Sequence, residues 1–125
     1  MTRILVVDND WEIRQAVCFS LRVAQYEFYE AESARDANAV LLAGLLHIDL
    51  IISDIGMETA NAGIKLARDR RGLSDMRPII LMSSRFLSEE INSLLEAGTI
   101  QGFCRKPLNH AEVVETIKRL LVPNR

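Results

Sequence analysis

The chain has 125 residues, of which 49% are hydrophobic and 26% charged, and its formal net charge is -2 at pH 7. This length predicts a single domain, over residues 1–125, that can bury one core without cross-links. The small negative charge gives no electrostatic basis for direct binding to nucleic acid or to an anionic membrane, and no apolar run is long enough to span a bilayer.

The first half of the chain alternates predicted strands and helices. An apolar run near the start predicts a strand buried on both faces and excludes a signal peptide, and a four-residue apolar spacing then predicts a helix capped by Asn9 or Asp10. A less apolar strand follows, which favours an edge position, and Ser33 caps a second helix that ends near Gly44. These elements are strand Arg3–Val7, helix 11–24, strand Glu27–Ala31 and the helix after Ser33.

The second half continues the alternation. Strand 50–53 is followed by a loop over 56–62 and a helix over 63–71, and Pro78 opens strand 79–82. A helix over 88–97 with Gly98 as its C-cap, a short strand over 100–104 and a helix capped by Asn109 and ended by Pro123 complete the pattern. Strands that alternate with helices predict an α/β fold in which helices cover both faces of a parallel sheet.

Reactive side chains follow four of the five predicted strands. Asp54 comes directly after the third strand and Lys106 after the fifth, and a carboxylate at the tip of a buried strand is costly unless a partner or metal offsets its charge. In an open parallel sheet, ligands bind at the carboxyl ends of the strands. The other groups at this edge are Asp8, Asn9 and Asp10 after the first strand and Ser83 and Ser84 after the fourth.

Four segments carry a resemblance to the receiver domain of two-component response regulators. They are ILVVDND (4–10), DLIISDIGM (49–57), PIILMSS (78–84) and GFCRKPL (102–108). The resemblance covers essentially the whole chain and implies a flavodoxin-like (βα)5 three-layer sandwich with strand order 2-1-3-4-5. It also implies a phosphorylation-controlled signalling switch that receives its phosphoryl group from a sensor histidine kinase or a phosphotransfer protein.

The resemblance implies a role for each residue of the site. Asp54 is the expected phosphoacceptor, and Ser83 and Lys106 are expected to bind the phosphoryl oxygens, with Lys106 preceding a cis proline. The expected ligands of Mg²⁺, or of another divalent cation, are Asp8, Asn9, Asp54 and the carbonyl of Gly56. The expected switch residues are Ser83 and Phe103.

Two departures from the family pattern bear on the chemistry. Asn9 stands where the family usually has an acid, so we expect weaker Mg²⁺ binding than a doubly acidic site gives. The loop 58–62 lacks the usual proline and is one residue longer, and we expect Glu58 to lie beside the site and alter the lifetime of the phosphate. Trp11 follows the acidic cluster, so its fluorescence is a candidate reporter of the site.

The resemblance also implies how the signal leaves the domain. The expected contact for an output protein or a second copy is the face of helix four, strand five and helix five. We expect a receiver without an output module in this sequence to act alone, to act through a partner, or to be part of a longer protein. We expect a phosphoacceptor that assists its own phosphorylation and dephosphorylation instead of an enzyme. Cys18 and Cys104 lie in apolar stretches, which favours free thiols in a reducing cytoplasm.

Two other functions stay open on the sequence. A pseudo-receiver, an interaction module that is not phosphorylated, is favoured by Asn9 and the unusual loop. A haloacid-dehalogenase-type phosphatase would use Asp8 as nucleophile and Asp10 as acid, although its expected threonine is Glu12 here. A flavin-binding flavodoxin is disfavoured because no phosphate-binding loop rich in Ser and Thr follows the first strand.

Overall fold

A computed structural model describes residues 1–85 and 88–122, in which strands and helices alternate in the predicted order. The position of Pro123, expected to end the last helix, lies outside the described residues. The elements are β1 (Arg3–Val7), α1 (Trp11–Val23), β2 (Glu27–Ala31), α2 (Ala34–Ala43), β3 (Leu50–Asp54), α3 (Ala62–Gly72), β4 (Ile79–Ser83), α4 (Ser88–Glu96), β5 (Gly102–Arg105) and α5 (His110–Leu121).

The strands form one parallel sheet in the order β2-β1-β3-β4-β5. The flavodoxin-like fold and its strand order are therefore confirmed, as is the edge position of β2, whose outer residues Tyr29 and Glu30 are exposed. The central strands are apolar on both sides because helices cover both faces of the sheet.

The two-residue alternation of the strands divides the core into two layers. Val6 and Ile52 face the layer that contains α1 and α5. Leu5, Ile51 and Leu81 face the opposite layer, which contains α2, α3 and α4. Each helix is amphipathic because only the side toward the sheet is buried.

The polar caps predicted for the helices are present. Of the two candidates before α1, Asp10 is the N-cap, since its side chain accepts the amides of Glu12 and Ile13. Ser33 and Asn109 cap α2 and α5 in the same way. Gly44 ends α2 in the left-handed region with φ of 65°, where glycine has no Cβ penalty.

Several element ends differ from the predicted ones. Asp54 and Ser83 are the last residues of β3 and β4 instead of the first residues after them, because the ladder pairs Asp54 with Met82 and Ser83 with Arg105. Strand β5 begins at Gly102 instead of residue 100. The amide of Ile100 donates to the carbonyl of Leu94 at the end of α4, so it is not available to the sheet.

Both cysteines are buried and free, as expected. Burial raises the pKa of the Cys18 thiol and of the Cys104 thiol to about 11. Within the described ranges, no helix combines the length and the apolar character needed to cross a membrane.

Candidate phosphoacceptor site

Lys106 joins two carboxylates at the carboxyl edge of the sheet. Its Nζ lies 3.0 Å from Oδ2 of Asp8 and 3.1 Å from Oδ1 of Asp54. Asp8 is fully buried, and the side chains of Asp54 and Lys106 are only 14% and 13% exposed. Three charged groups so far from bulk water are retained only because they compensate one another. The sequence prediction that strand ends bring these residues together is confirmed.

Strand alternation explains why these three side chains meet. Asp54 is two residues beyond Ile52, and Asp8 is two beyond Val6, so both carboxylates continue the positions that face α1 and α5. Lys106 is two residues beyond Cys104, which faces the same layer. The cluster is therefore built from the same side of three different strands.

Asp8 is held by contacts on both its side chain and its backbone. Its Oδ1 accepts the amide of Asp10 at 2.9 Å, and its carbonyl accepts Nη1 of Arg14 at 2.7 Å. Nε of Arg14 in turn donates to Glu30 at 2.8 Å. Arg14 supports the site from α1 through a backbone atom, so it leaves no motif from which the sequence could predict it.

Burial raises the pKa of Asp54 above its usual value of 3.8. The ammonium of Lys106 opposes this effect, and the negative charge of Asp8 adds to it. An ionised Asp54 is therefore less stabilised by its surroundings than an aqueous carboxylate, which suits a group that must form a new bond.

Ser83 is buried at the end of β4, whereas its neighbour Ser84 is exposed. The hydroxyl of Ser83 accepts a hydrogen bond from the amide of Arg85 at 3.0 Å. The backbone carbonyl of Ser83 accepts one from the amide of Lys106 at 2.9 Å. The backbones that carry Ser83 and Lys106 are thus directly joined. The Lys106–Pro107 peptide bond is cis, as the resemblance implied.

Phe103 lies on the other side of the sheet from the carboxylates. It is half-buried, pairs with Leu81 in the ladder and packs against the layer of α2, α3 and α4. Ser83 is two residues beyond Leu81 on β4, so strand alternation directs its side chain to the face that Phe103 occupies. The two proposed switch residues therefore share one surface of the sheet.

The donors expected to hold a metal are all oxygen atoms. The carboxylates of Asp8 and Asp54 are in place, Asn9 is exposed immediately after β1, and Gly56 lies two residues beyond β3. This set fits Mg²⁺, which prefers carboxylate and carbonyl oxygens. Across residues 1–85 and 88–122, no three acidic, His or Cys side chains gather into a metal site, so the set relies on the amide of Asn9 and the carbonyl of Gly56 beside the two carboxylates.

The loop between β3 and α3 is bound to two other segments. Both carboxylate oxygens of Glu58 accept amides at the start of α2, from Ala34 at 2.9 Å and Arg35 at 2.8 Å. The guanidinium of Arg85 donates to the carbonyl of Ala60 and to Oδ1 of Asn61. Glu58 thus has a capping role that the sequence did not predict, and its effect on phosphate lifetime stays a prediction.

Gly63 permits α3 to approach the backbone of Asp54. A Cβ on residue 63 would lie 2.0 Å from the carbonyl oxygen of Asp54, and the amide of Gly63 donates to the carbonyl of Ile55 at 2.8 Å. A glycine at the start of a predicted helix is the one signal in the sequence for this close approach, and it was not among the predicted site residues.

Comparison with known proteins agrees with this geometry. A family model described as the response regulator receiver domain matches residues 4–118. The chain belongs to this family. It is the receiver domain of a two-component response regulator, as the strand-end motifs predicted.

Two curated relatives are regulators of transcription. The phosphate regulon transcriptional regulatory protein PhoB of Pseudomonas aeruginosa is 35% identical over 122 residues, covering 94% of this chain and 51% of that protein. The transcriptional regulatory protein ResD of Bacillus subtilis is also 35% identical over 122 residues, covering 96% and 48%. The receiver chain therefore spans about half the length of these relatives.

Solved structures match over nearly their full length. Chemotaxis response regulator CheY4 of Vibrio cholerae is 31% identical with a TM-score of 0.81, covering 97% of this chain and 99% of that one. TrrA of Thermotoga maritima, solved in complex with Mg²⁺ and BeF, is 30% identical with a TM-score of 0.81, covering 97% and 100%.

Proposed function

We propose that this receiver domain accepts a phosphoryl group on Asp54 from a phosphohistidine of a sensor histidine kinase or a phosphotransfer protein. The observation that carries the proposal is the contact of Lys106 Nζ with both Asp54 and Asp8, at 3.1 and 3.0 Å. A cation between two buried carboxylates is arranged to neutralise a phosphoryl group that arrives at the same place.

The reaction transfers one phosphoryl group between two side chains. An Oδ of Asp54 attacks phosphorus, the P–N bond to the donor imidazole breaks, and that nitrogen keeps the bonding electrons and takes up a proton. The product is an acyl phosphate on Asp54. Lys106 binds one phosphoryl oxygen, and the hydroxyl of Ser83 donates to another after turning from its present contact with the Arg85 amide.

Mg²⁺ or another divalent cation would be held by Asp8, Asn9, Asp54 and the carbonyl of Gly56. When bound, the ion supplies positive charge that offsets the phosphoryl oxygens. The chain contributes the fixed orientation of Asp8, which its contacts with Asp10 and Arg14 provide. The chain has no separate substrate to turn over in this proposal, and it assists only its own phosphorylation and dephosphorylation.

The readout follows from the positions of Ser83 and Phe103. Movement of Ser83 toward the phosphoryl group leaves space on the face that Phe103 shares, and the population of conformations shifts. The affected surface is formed by α4, β5 and α5, and we propose that an output protein or a second copy binds there.

The buried free thiols Cys18 and Cys104 support a cytoplasmic location.

The experiment is incubation with Mg²⁺ and acetyl phosphate, followed by intact mass measurement and peptide mapping. One added phosphoryl group is expected on the wild type and on Asp69→Asn, an aspartate variant on α3, and none on Asp54→Asn. A chain that stays unmodified, and also shows no spectral change with beryllofluoride, contradicts the proposal and supports the pseudo-receiver.

The pseudo-receiver is the second candidate because Asn9 removes one charge from the expected metal site. The phosphatase alternative loses support, since the carboxylate of Asp10 is engaged by the amides of Glu12 and Ile13 and is not directed to act as an acid. A phosphoryl group mapped to Asp8 would revive it.

A further inference from the structure

A buried arginine in α3 shares its counter-charge with a second arginine. Arg70 follows Ile64 and Ala67 on the stripe of α3 that faces the core and is only 4% exposed. Its Nη1 lies 3.8 Å from Asp75, which is also bound by Arg77 at 3.3 Å. Within the described residues, Nε of Arg70 has no hydrogen-bond partner. An apolar residue would serve the core better, because a poorly paired buried charge destabilises the fold.

Arg70 contributes to the wall of a groove between α2 and α3, with a volume of about 460 Å³. Asn38, on the α2 side, has a buried Oδ1 that also lacks a partner in the part of the chain that the structure describes. We call this feature the α2–α3 groove. Its lining includes Asn38, Leu42, Arg68, Asp69, Arg70 and Leu73.

The rims of the α2–α3 groove are apolar and open to solvent. Leu42 on α2 is 69% exposed, and Leu73 directly after α3 is 60% exposed. Leu45 and Met76, which follow the same two helices, are also strongly exposed. Leu42 and Leu73 line the same groove, and exposed apolar side chains that share one place on a surface mark an interaction site more often than isolated ones do.

The groove is basic on a chain that is acidic overall. Its lining carries two cations, Arg68 and Arg70, and one anion, Asp69, on a chain whose net charge is -2. Asp69 is engaged by Lys65 at 2.8 Å, and Arg70 is engaged by Asp75 at 3.8 Å. The charge of Arg68 therefore remains for a partner, and it attracts negative groups to this face.

We propose that the α2–α3 groove binds an acidic peptide segment with apolar side chains, supplied by a partner protein. Its carboxylates would lie near Arg68 and above Arg70, and its apolar side chains would cover Leu42 and Leu73. A second copy of this chain is a poor occupant, because a twofold contact would bring the same basic residues together. A lipid surface fits less well, since a flat layer does not enter a groove between two helices.

The groove lies away from the phosphoacceptor edge. Helices α2 and α3 begin near the carboxyl ends of the strands and run back across the sheet, so their C-terminal ends reach the opposite edge. The proposal therefore does not depend on phosphorylation of Asp54, and Asp54→Asn is expected to bind the same peptides with the same affinity.

The first test selects peptides from a displayed random library on the immobilised chain and measures the affinity of synthetic copies by fluorescence polarisation. Enriched peptides are expected to combine Asp or Glu with Leu, Ile or Phe. Affinity should fall about tenfold in Arg68→Glu and Leu73→Ser. It should be unchanged in Arg22→Glu and Phe19→Ser, which alter exposed residues of the same kinds on α1.

A second variant separates a binding role of Arg70 from a structural one. Arg70→Met removes the poorly paired charge and keeps an apolar stem, so its unfolding midpoint should equal or exceed that of the wild type while peptide affinity falls. A less stable Arg70→Met that binds peptides normally would make Arg70 structural and overturn its part in the proposal.

The remaining outcomes also decide the question. No enrichment, or enriched peptides that bind the groove variants as well as the wild type, overturns the proposal. If the chain binds no peptide but floats with vesicles of phosphatidylglycerol and phosphatidylcholine, and Arg68→Glu does not, the face binds membranes instead. A dimer in sedimentation that is lost in Leu73→Ser assigns it to a second copy.

Discussion

Asn9 changes the electrostatics of the site more than any other single residue. With an amide in this position, the buried charges at the carboxyl edge are Asp8, Asp54 and Lys106. The ammonium then offsets one of the two carboxylates, and little excess negative charge is left to attract a divalent cation.

Asn9→Asp is expected to tighten Mg²⁺ binding, by about tenfold for an added interaction worth about 1.4 kcal/mol. The added carboxylate supplies a charged oxygen ligand in place of a neutral one. Titration of Mg²⁺ followed by calorimetry, or by the fluorescence of Trp11, measures the change. Asn92→Asp, an equal change of charge on exposed α4, is the control and should leave the affinity unaltered. Equal affinities for Asn9→Asp and wild type would contradict the metal role of position 9.

Asp54→Asn is expected to stabilise the fold at neutral pH. Burial raises the pKa of Asp54, so the native state binds this proton more tightly than the unfolded chain, and ionisation costs native stability. The gain from the neutral amide should be complete at pH values above the raised pKa and should disappear as the pH falls through that pKa toward 3.8. Urea unfolding at several pH values measures it. A variant less stable than wild type at pH 7 would mean that pairing with Lys106 outweighs desolvation.

The site residues differ in how visible they are in the sequence. Asp54 and Lys106 were predictable because each follows an apolar run, and strand alternation carries both to one side of the sheet. The role of Arg14 and the capping role of Glu58 were not, since each depends on a contact with backbone groups of another element. Such contacts depend on tertiary geometry and leave no local pattern of residue types.

At the scale of elements, the close approach of α3 to β3 determines how the loop after Asp54 is placed. Gly63 allows the first turn of α3 to touch the Asp54 backbone, and its amide closes a hydrogen bond to Ile55. The same loop is fixed at Glu58 by α2 and at Asn61 by Arg85. These contacts hold the segment of Gly56 without the proline that the family usually has there.

Gly63→Ala is expected to destabilise the chain, whereas Gly72→Ala is not. The new methyl at residue 63 would meet the carbonyl oxygen of Asp54 at 2.0 Å, so the backbone must shift, at a cost of about 1–3 kcal/mol or more. At Gly72, the last residue of α3, nothing lies within 4 Å of the added carbon, and alanine should stabilise the helix by up to about 1 kcal/mol. Urea unfolding compares the pair, and equal effects of both substitutions would contradict the close-approach explanation.

Element ends were less predictable than element types. The order of strands and helices followed from apolar spacing, but the start of β5 did not, because the turn after α4 takes the amide of Ile100. Competition between a helix end and a neighbouring strand for one amide is decided by packing. Arg70 shows the same limit, since a charged residue on the apolar stripe of α3 is buried against the preference of its type.

At the scale of the whole molecule, the parallel sheet separates two surfaces. The carboxyl ends of the strands present Asp8, Asp54 and Lys106, while the α2–α3 groove opens toward the other end of α2 and α3. Neither surface is formed by one segment. Asp8 directly follows β1 and Asp54 ends the neighbouring strand β3, so the two are brought together only when the sheet is complete.

Mg²⁺ is therefore expected to stabilise the whole domain, because the unfolded chain has no assembled site. An ion that binds only the native state adds about 2.7 kcal/mol of stability when its concentration is about a hundred times its Kd. Thermal unfolding with increasing Mg²⁺ should show a rising midpoint for the wild type and for Asp69→Asn, which removes a carboxylate outside the cluster. The rise should be largely lost in Asp8→Asn, since the buried carboxylate that fixes the ion is gone. A rise of the same size in Asp8→Asn would place the ion elsewhere on the chain, and the carboxyl edge would then be a site for phosphoryl transfer without a resident metal.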